Sequence, residues 1–241
     1  MKIIDKKDFS KLLIKYRYLS IGLISLLVCL LATGLTKLTF NPDLETYFPE
    51  GHPAVLRYNE IDDMFVPTDN LIIAVHSKEE TLFNKESLKV IEELTQKSWT
   101  IPYSVRVDSL TNYSYVQSIN DDLIVEPFIE DAEEKSFDFL EKRKIIVSGE
   151  EIIYKSLISE DKKTSVVSII IDPPGPKKED QNSELIDYIL EFLEPIKERN
   201  KNLDIRLLGN PYMDYISPRI VKAEMPLVMP LMMMLIFFIV F

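Results

Sequence analysis

Hydrophobic and polar residues are unevenly distributed along this chain: apolar positions gather at its two ends and charged ones fill the stretch between. From Tyr18 to Thr36 run 19 residues without a charge, bounded by Arg17 and Lys37. A helix needs about 20 such residues to cross the hydrocarbon core of a bilayer. A buried core helix rarely goes so long without a polar face. Residues 18–36 are therefore expected to form a first transmembrane helix. A second apolar run follows Glu224, and Pro226 to Phe241 are 16 residues with no charge and no closing polar anchor. Residues 225–241 read as the start of a second span, cut short as in a fragment of a longer protein.

Between these ends the periodicity changes from element to element. Residues 38–70 are hydrophilic and punctuated by proline, with a short helix expected over Ala54–Phe65, where Val55, Tyr58, Ile61 and Phe65 recur at helical spacing. The compact run Leu71–Val75 suits a buried strand. Asn84 is placed to cap a helix with Glu86 in its first turn and Leu88, Ile91 and Leu94 as its apolar stripe. Val105 and Val107 alternate with Arg106 and Asp108, as in a half-exposed strand. Residues 111–160 are less regular and read as a helical insertion, with one acidic helix over Glu130–Lys144 and another over Glu150–Leu157. Val166–Ile171 carries the strongest strand signal, expected at the centre of a sheet with Ile170 buried. It ends at Asp172-Pro-Pro-Gly-Pro176, through which neither strand nor helix continues. Leu185, Ile189, Phe192, Leu193 and Ile196 mark an amphipathic helix, and Ile205 and Leu207 a last strand before Gly209. Strand, helix, strand, insertion, strand, helix, strand is the order of a split βαβ pair, which closes into an antiparallel sheet with both helices on one face. The expected fold is α+β, ferredoxin-like (βαββαβ), with a helical insertion and flanking transmembrane helices.

Charge gives the chain its sidedness. Lys2, Lys6, Lys7, Lys11, Lys15 and Arg17 precede the first span, against only Asp5 and Asp8. Basic residues beside a first span hold that flank in the cytoplasm, so residues 1–17 are expected inside and residues 37–224 outside. The outer segment holds 22 of the 28 basic and 37 of the 39 acidic residues, a net charge of −15. Such a surface does not suit nucleic acid or anionic lipid, both of which require Lys and Arg. Ala32-Thr33-Gly34 would also serve as a signal-peptide cleavage site, but the apolar stretch exceeds a usual signal core and an uncleaved anchor is preferred. Cys29, the only cysteine, lies inside that stretch without the small residues of a lipid-attachment site, so the outer domain folds without a disulfide.

A search for chemistry assigns no catalytic, cofactor-binding or metal-binding residue. His52 and His76 are 24 residues apart with no partnering cysteine outside the membrane. No glycine-rich phosphate loop and no G-x-S-x-G elbow occurs. The acidic pairs Asp62-Asp63, Asp121-Asp122 and Glu133-Glu134 lack the spacing of a calcium loop and read as solvated faces. Asn112-Tyr-Ser114 matches a glycosylation sequon, and Tyr113, Tyr115 and Phe128 read as core in preference to the lining of a substrate groove. Met232, Met233 and Met234 read as lipid-facing, since no His or Cys accompanies them. The two apolar segments contain no Asp, Glu, Lys, Arg or His, the residues that carry protons through membranes.

Several motifs in this order resemble a known family. Asn41-Pro-Asp-Leu44 and Phe48-Pro-Glu-Gly-His-Pro53 follow the first span, and a helix ending in Phe65 leads to Asp69-Asn-Leu-Ile-Ile-Ala-Val75. Val107-Asp-Ser-Leu-Thr-Asn112 and Leu208-Gly-Asn-Pro211 come later. Together they resemble the RND (resistance-nodulation-division) exporters, in their MMPL-like branch. The resemblance implies a first span, a first porter domain and the start of a second span of a proton-driven exporter of hydrophobic or lipid-like molecules. Its partners would be the lipid bilayer, the later spans and second porter domain, an amphiphilic substrate and, in an assembled exporter, further copies of itself. It implies a multi-pass protein of the inner (plasma) membrane. The alternative from a different class is a membrane-anchored extracytoplasmic binding or assembly module; an enzyme is not expected.

Overall fold

Three strands, Asn70–Ser77, Thr164–Ile171 and Leu203–Gly209, alternate buried and more exposed positions as their sequences suggest. In the computed structural model, which describes residues 15–32, 47–49, 51–64, 70–79, 81–119, 122–173 and 179–240, the chain divides into two compact units, Met1–Asn41 and Pro42–Phe241. The described part of the first unit is helix α1 (Arg17–Ala32). The second unit holds α2 (Pro53–Met64), β1 (Asn70–Ser77), α3 (Lys85–Ser98), β2 (Ser104–Asp108), β3 (Ser114–Ile119), β4 (Asp122–Pro127), α4 (Phe137–Ile146), β5 (Thr164–Ile171), α5 (Glu179–Arg199), β6 (Leu203–Gly209) and α6 (Asn210–Val240). The fold is mixed α+β with antiparallel sheets.

Four strands form the main sheet in the order β2-β5-β1-β6, and every neighbouring pair is antiparallel. Leu71, Ile73 and Val75 of β1, Val167, Ile169 and Ile171 of β5, and Leu203, Ile205 and Leu207 of β6 are buried on one face. Against that face pack Leu88, Ile91 and Leu94 of α3 and Leu185, Ile189, Leu193 and Ile196 of α5, in one continuous core. At about 25 cal/mol per Å² of apolar surface removed from water, this layer supplies the main stabilising free energy of a domain without disulfides. On the opposite face Ile72, Ala74, Val166 and Ile170 are half-buried, and His76, Arg206 and Leu208 are exposed.

Local chemistry explains the helix starts. The Asn84 side chain accepts a hydrogen bond from the Ser87 amide at 2.8 Å, with Glu86 in the first turn, as expected for α3. Ser136 caps α4 in the same way through the Phe139 amide.

Several expectations need correction. The insertion is not only helical: β3 and β4 pair as an antiparallel hairpin with Tyr115 opposite Glu126 and Val116 opposite Val125. The acidic helix expected from Glu130 begins only at Phe137, because Asp131 takes a left-handed conformation (φ 50°) that no helix continues through. Glu150–Leu157 is a run of turns. Lys155 sits at φ 66°, and its amide reaches forward to the Ile158 carbonyl at 2.8 Å instead of back along a helix. β5 is central, but Ile170 lies on the open face with Ile169 and Ile171 turned inward. The short helix expected to end at Phe65 is seen as far as Met64, and its Tyr58 and Ile61 are exposed.

Among the described residues, no helix is long and apolar enough to cross a membrane. Helix α1 has 16 residues, or about 24 Å at 1.5 Å per residue, against a hydrocarbon core of about 30 Å. Residues 33–36, 41–46, 65–69 and 174–178, which include parts of the expected first span, of the motifs and of the proline joint, lie outside the described residues.

Candidate functional site

Helix α3 lays Glu92, Thr95, Gln96 and its C-cap residue Trp99 along one strip, at the i, i+3, i+4, i+7 spacing that puts side chains on the same side of a helix. Across from them the insertion brings Thr111, Asn112, Pro127, Ile129 and Glu130. The two surfaces bound a cleft of about 200 Å³. Its floor is a buried hydroxyl cluster. Thr95 Oγ1 donates to the Ile91 carbonyl at 2.6 Å and lies 2.9 Å from Ser109 Oγ and 3.2 Å from Thr111 Oγ1, with Ser109 and Thr111 2.9 Å apart. Asn112 ties this cluster to the sheet: its Oδ1 accepts from the Ser109 amide at 2.8 Å and its Nδ2 donates to the Val107 carbonyl at 2.7 Å. The Asn112-Tyr-Ser114 sequon is thus a structural turn whose amide is already committed.

A larger cleft of about 520 Å³ lies toward the start of α3, lined by Lys85, Lys89, Glu93, Glu133 and Arg199 among others. Four of its charges pair with one another, Lys89 with Glu133 at 2.7 Å and Arg199 with Glu93 at 2.8 Å.

The aromatic group picked out from the sequence is a core and not a groove. Tyr115 and Phe128 meet edge to face with centroids 5.7 Å apart. Between them and Phe139 sits the guanidinium of Arg143, 4.5, 5.1 and 5.0 Å from the three ring centroids. Arg143 is only 4% exposed and is paired with Glu126. Burial of the cation is offset by the ring faces and the carboxylate. Its Nε is nevertheless buried without a partner among the described residues. Nothing in the sequence marked Arg143, because an Arg between Lys142 and Lys144 on a charged helix ordinarily points to water.

A second polar cluster roots α6 on α5. Tyr215 Oη donates to Asp187 Oδ1 at 2.6 Å, and this bond to a carboxylate is the main reason the tyrosine pKa is raised above its ordinary value. Arg219 lies 3.5 Å from the Tyr215 ring centroid and donates to the Tyr215 carbonyl, and the Tyr212 and Tyr215 rings stack with centroids 6.4 Å apart.

The two histidines are not brought together. His52 stands at the start of α2, where its Nδ1 accepts from the Ala54 amide, while His76 lies on the open sheet face 2.9 Å from Thr164 Oγ1. Among the described residues no group of His, Cys, Asp and Glu is placed to hold a metal. Glu133 is an ion-pair partner; Asp121 and the side chains of Asp62, Asp63 and Cys29 lie outside the described residues. Met232, Met233 and Met234 are exposed on the shaft of α6. The exposed carboxylates Asp161 and Asp204 have lowered pKa values, the first through Ser159 and the Lys163 amide, the second through Arg206. No family model matches the chain, and no curated protein matches it.

Proposed function

We propose that this chain is the N-terminal part of a proton-driven RND-type exporter of hydrophobic or lipid-like molecules, supplying a first span and a first porter domain of ferredoxin-like design. The observation that carries the reading is the passage from sheet to shaft. β6 ends at Gly209, and α6 runs from Asn210 for 31 residues without a break. Its far half exposes apolar side chains at successive positions, Leu231, Met232, Met233, Met234, Leu235 and Ile236, so they surround the helix on every side. A helix apolar all round is stable only where its surroundings are apolar too. The strand order β2-β5-β1-β6, with a helix after β1 and another after β5, also supports the ferredoxin-like description. The uncharged 19-residue stretch from Tyr18 to Thr36 and the basic flank before it supply the first anchor and its orientation.

A reporter fused after Gly175 tests this arrangement. A reporter that works only outside the cytoplasm should be active there, and alkaline carbonate should fail to strip the protein from membranes. A fusion active only in the cytoplasm would overturn the orientation, and release by carbonate would overturn the anchoring. The binding-module alternative separates from the exporter by the sequence that follows residue 241: four further spans and a repeat of this pattern belong to the exporter alone.

A further inference from the structure

The cleft between α3 and the insertion offers a ligand chemistry that stands whether or not the chain belongs to an exporter. Trp99, the only tryptophan of the chain, is about half exposed (52%) and forms one wall. Glu92 and Glu130 line the same cleft, and neither takes part in an ion pair among the described residues, whereas no Lys or Arg lines it. Several neutral donors are spent, although Gln96 and Trp99 bring further N–H groups to the cleft. Asn112 Nδ2 goes to the Val107 carbonyl, and the hydroxyls of Thr95, Ser109 and Thr111 close on each other and on the Ile91 carbonyl. One oxygen of Glu92 accepts from the Asp131 amide at 3.0 Å. Its other oxygen and the Glu130 carboxylate remain to meet a ligand.

α3 also ends at this cleft, and the carbonyl end of a helix carries a partial negative charge. The surrounding domain is strongly acidic, which raises the local concentration of cations. We propose that this cleft binds an organic ammonium group, its charge lying on the face of Trp99 between Glu92 and Glu130. A volume of about 200 Å³ takes a choline-sized head group rather than a drug-sized molecule. The ammonium can belong to a free compound or to a lipid head group.

Because Trp99 is the sole tryptophan, its fluorescence reports on the cleft without interference from other indoles. The full chain in maltoside micelles is titrated with choline and with its neutral isostere, 3,3-dimethylbutan-1-ol. Choline should change Trp99 emission saturably and bind at least about tenfold more tightly than the isostere, the size of one cation–π contact in a partly dry site. Glu92→Gln with Glu130→Gln should weaken choline about tenfold or more. The far-UV circular dichroism should stay unchanged, since the amide oxygen that replaces the Glu92 carboxylate can still accept from the Asp131 amide. Glu130→Gln alone, at an exposed position, covers the case in which the double variant does not fold. Equal binding of choline and isostere, or no weakening in a folded variant, would overturn the proposal. Micelles doped with phosphatidylcholine or with phosphatidylglycerol then distinguish the sources. An emission change with the first alone, reversed by free choline, assigns the site to a lipid head group; no change with either, while choline still binds, assigns it to a free ammonium compound.

Discussion

Gly209 stands where the sheet hands over to α6, at φ 121°, and a Cβ there would lie 2.2 Å from the Asn70 carbonyl oxygen of the neighbouring strand. Neither the dihedral nor the space admits a side chain, so Gly209→Ala should cost about 2–3 kcal/mol in urea unfolding. Gly149→Ala, with nothing within 4 Å, should stay within about 0.5 kcal/mol. At Arg143 the rings carry much of the stabilisation. Arg143→Ala, which empties the cage, should lose about 2–3 kcal/mol, and Arg143→Met, which refills it with an apolar side chain, should lose less than half as much because half-exposed Glu126 can turn to water. Tyr215 adds a pH dependence. A tyrosine whose folded pKa lies above its unfolded value of 10.0 stabilises the fold fully below that pH, and the contribution is lost as pH rises through the folded pKa. The melting temperature should therefore fall more steeply above pH 10 in the wild type than in Tyr215→Phe; parallel curves would show that the bond to Asp187 does not hold α6 to α5. Tyr115 and Phe128 were visible in the sequence as an aromatic pair, but Arg143 was not, because their meeting depends on a hairpin and a helix folding over one another.

At the scale of elements, a strand's face matters more than its position. β5 is central, and alternate residues along it point in opposite directions, so neighbours have different fates. Ile169→Asp should unfold the domain, a loss above about 4 kcal/mol, by placing an unpaired carboxylate under α3. Ile170→Asp, on the open face, should cost only about 1–2 kcal/mol. Circular dichroism melts of residues 38–222 would rank the two, and equal loss would show that the open face is covered. The strong periodic elements α3, α5, β1 and β5 were legible because each repeats one signal over many residues. The hairpin was not: on each face of residues 115–118 an apolar residue is followed by a polar one, Tyr115 by Gln117 and Val116 by Ser118, so no apolar face marks the strand. The turns over Glu150–Leu157 depend on left-handed Lys155 and on bonds to Ser165 and Val166 of β5, partners that local propensity does not contain.

For the molecule as a whole, the exporter reading makes a negative prediction that discriminates. The uncharged stretches 18–36 and 225–241 hold no titratable side chain of the kind that relays protons, no Asp, Glu, Lys, Arg or His. Coupling to a proton gradient requires such ionisable groups within the bilayer and paired repeats around a shared site. Residues 1–241 in vesicles under an imposed pH gradient should move no amphiphilic dye or labelled lipid above the level of empty vesicles. Gradient-dependent movement would mean that the chain carries a proton route absent from its apolar segments.

The placement of apolar and charged residues alone determined which stretches are uncharged, the acidic character of the segment between them and the order of its long elements, because each depends on neighbours a few residues apart. Tertiary structure decided which face of β5 is inside, that the insertion forms a hairpin around Arg143, and that Trp99 meets Glu130 across a cleft. Those outcomes depend on contacts between residues tens of positions apart, whose free energy exists only once the sheet has closed and the chain entropy of bringing them together has been overcome.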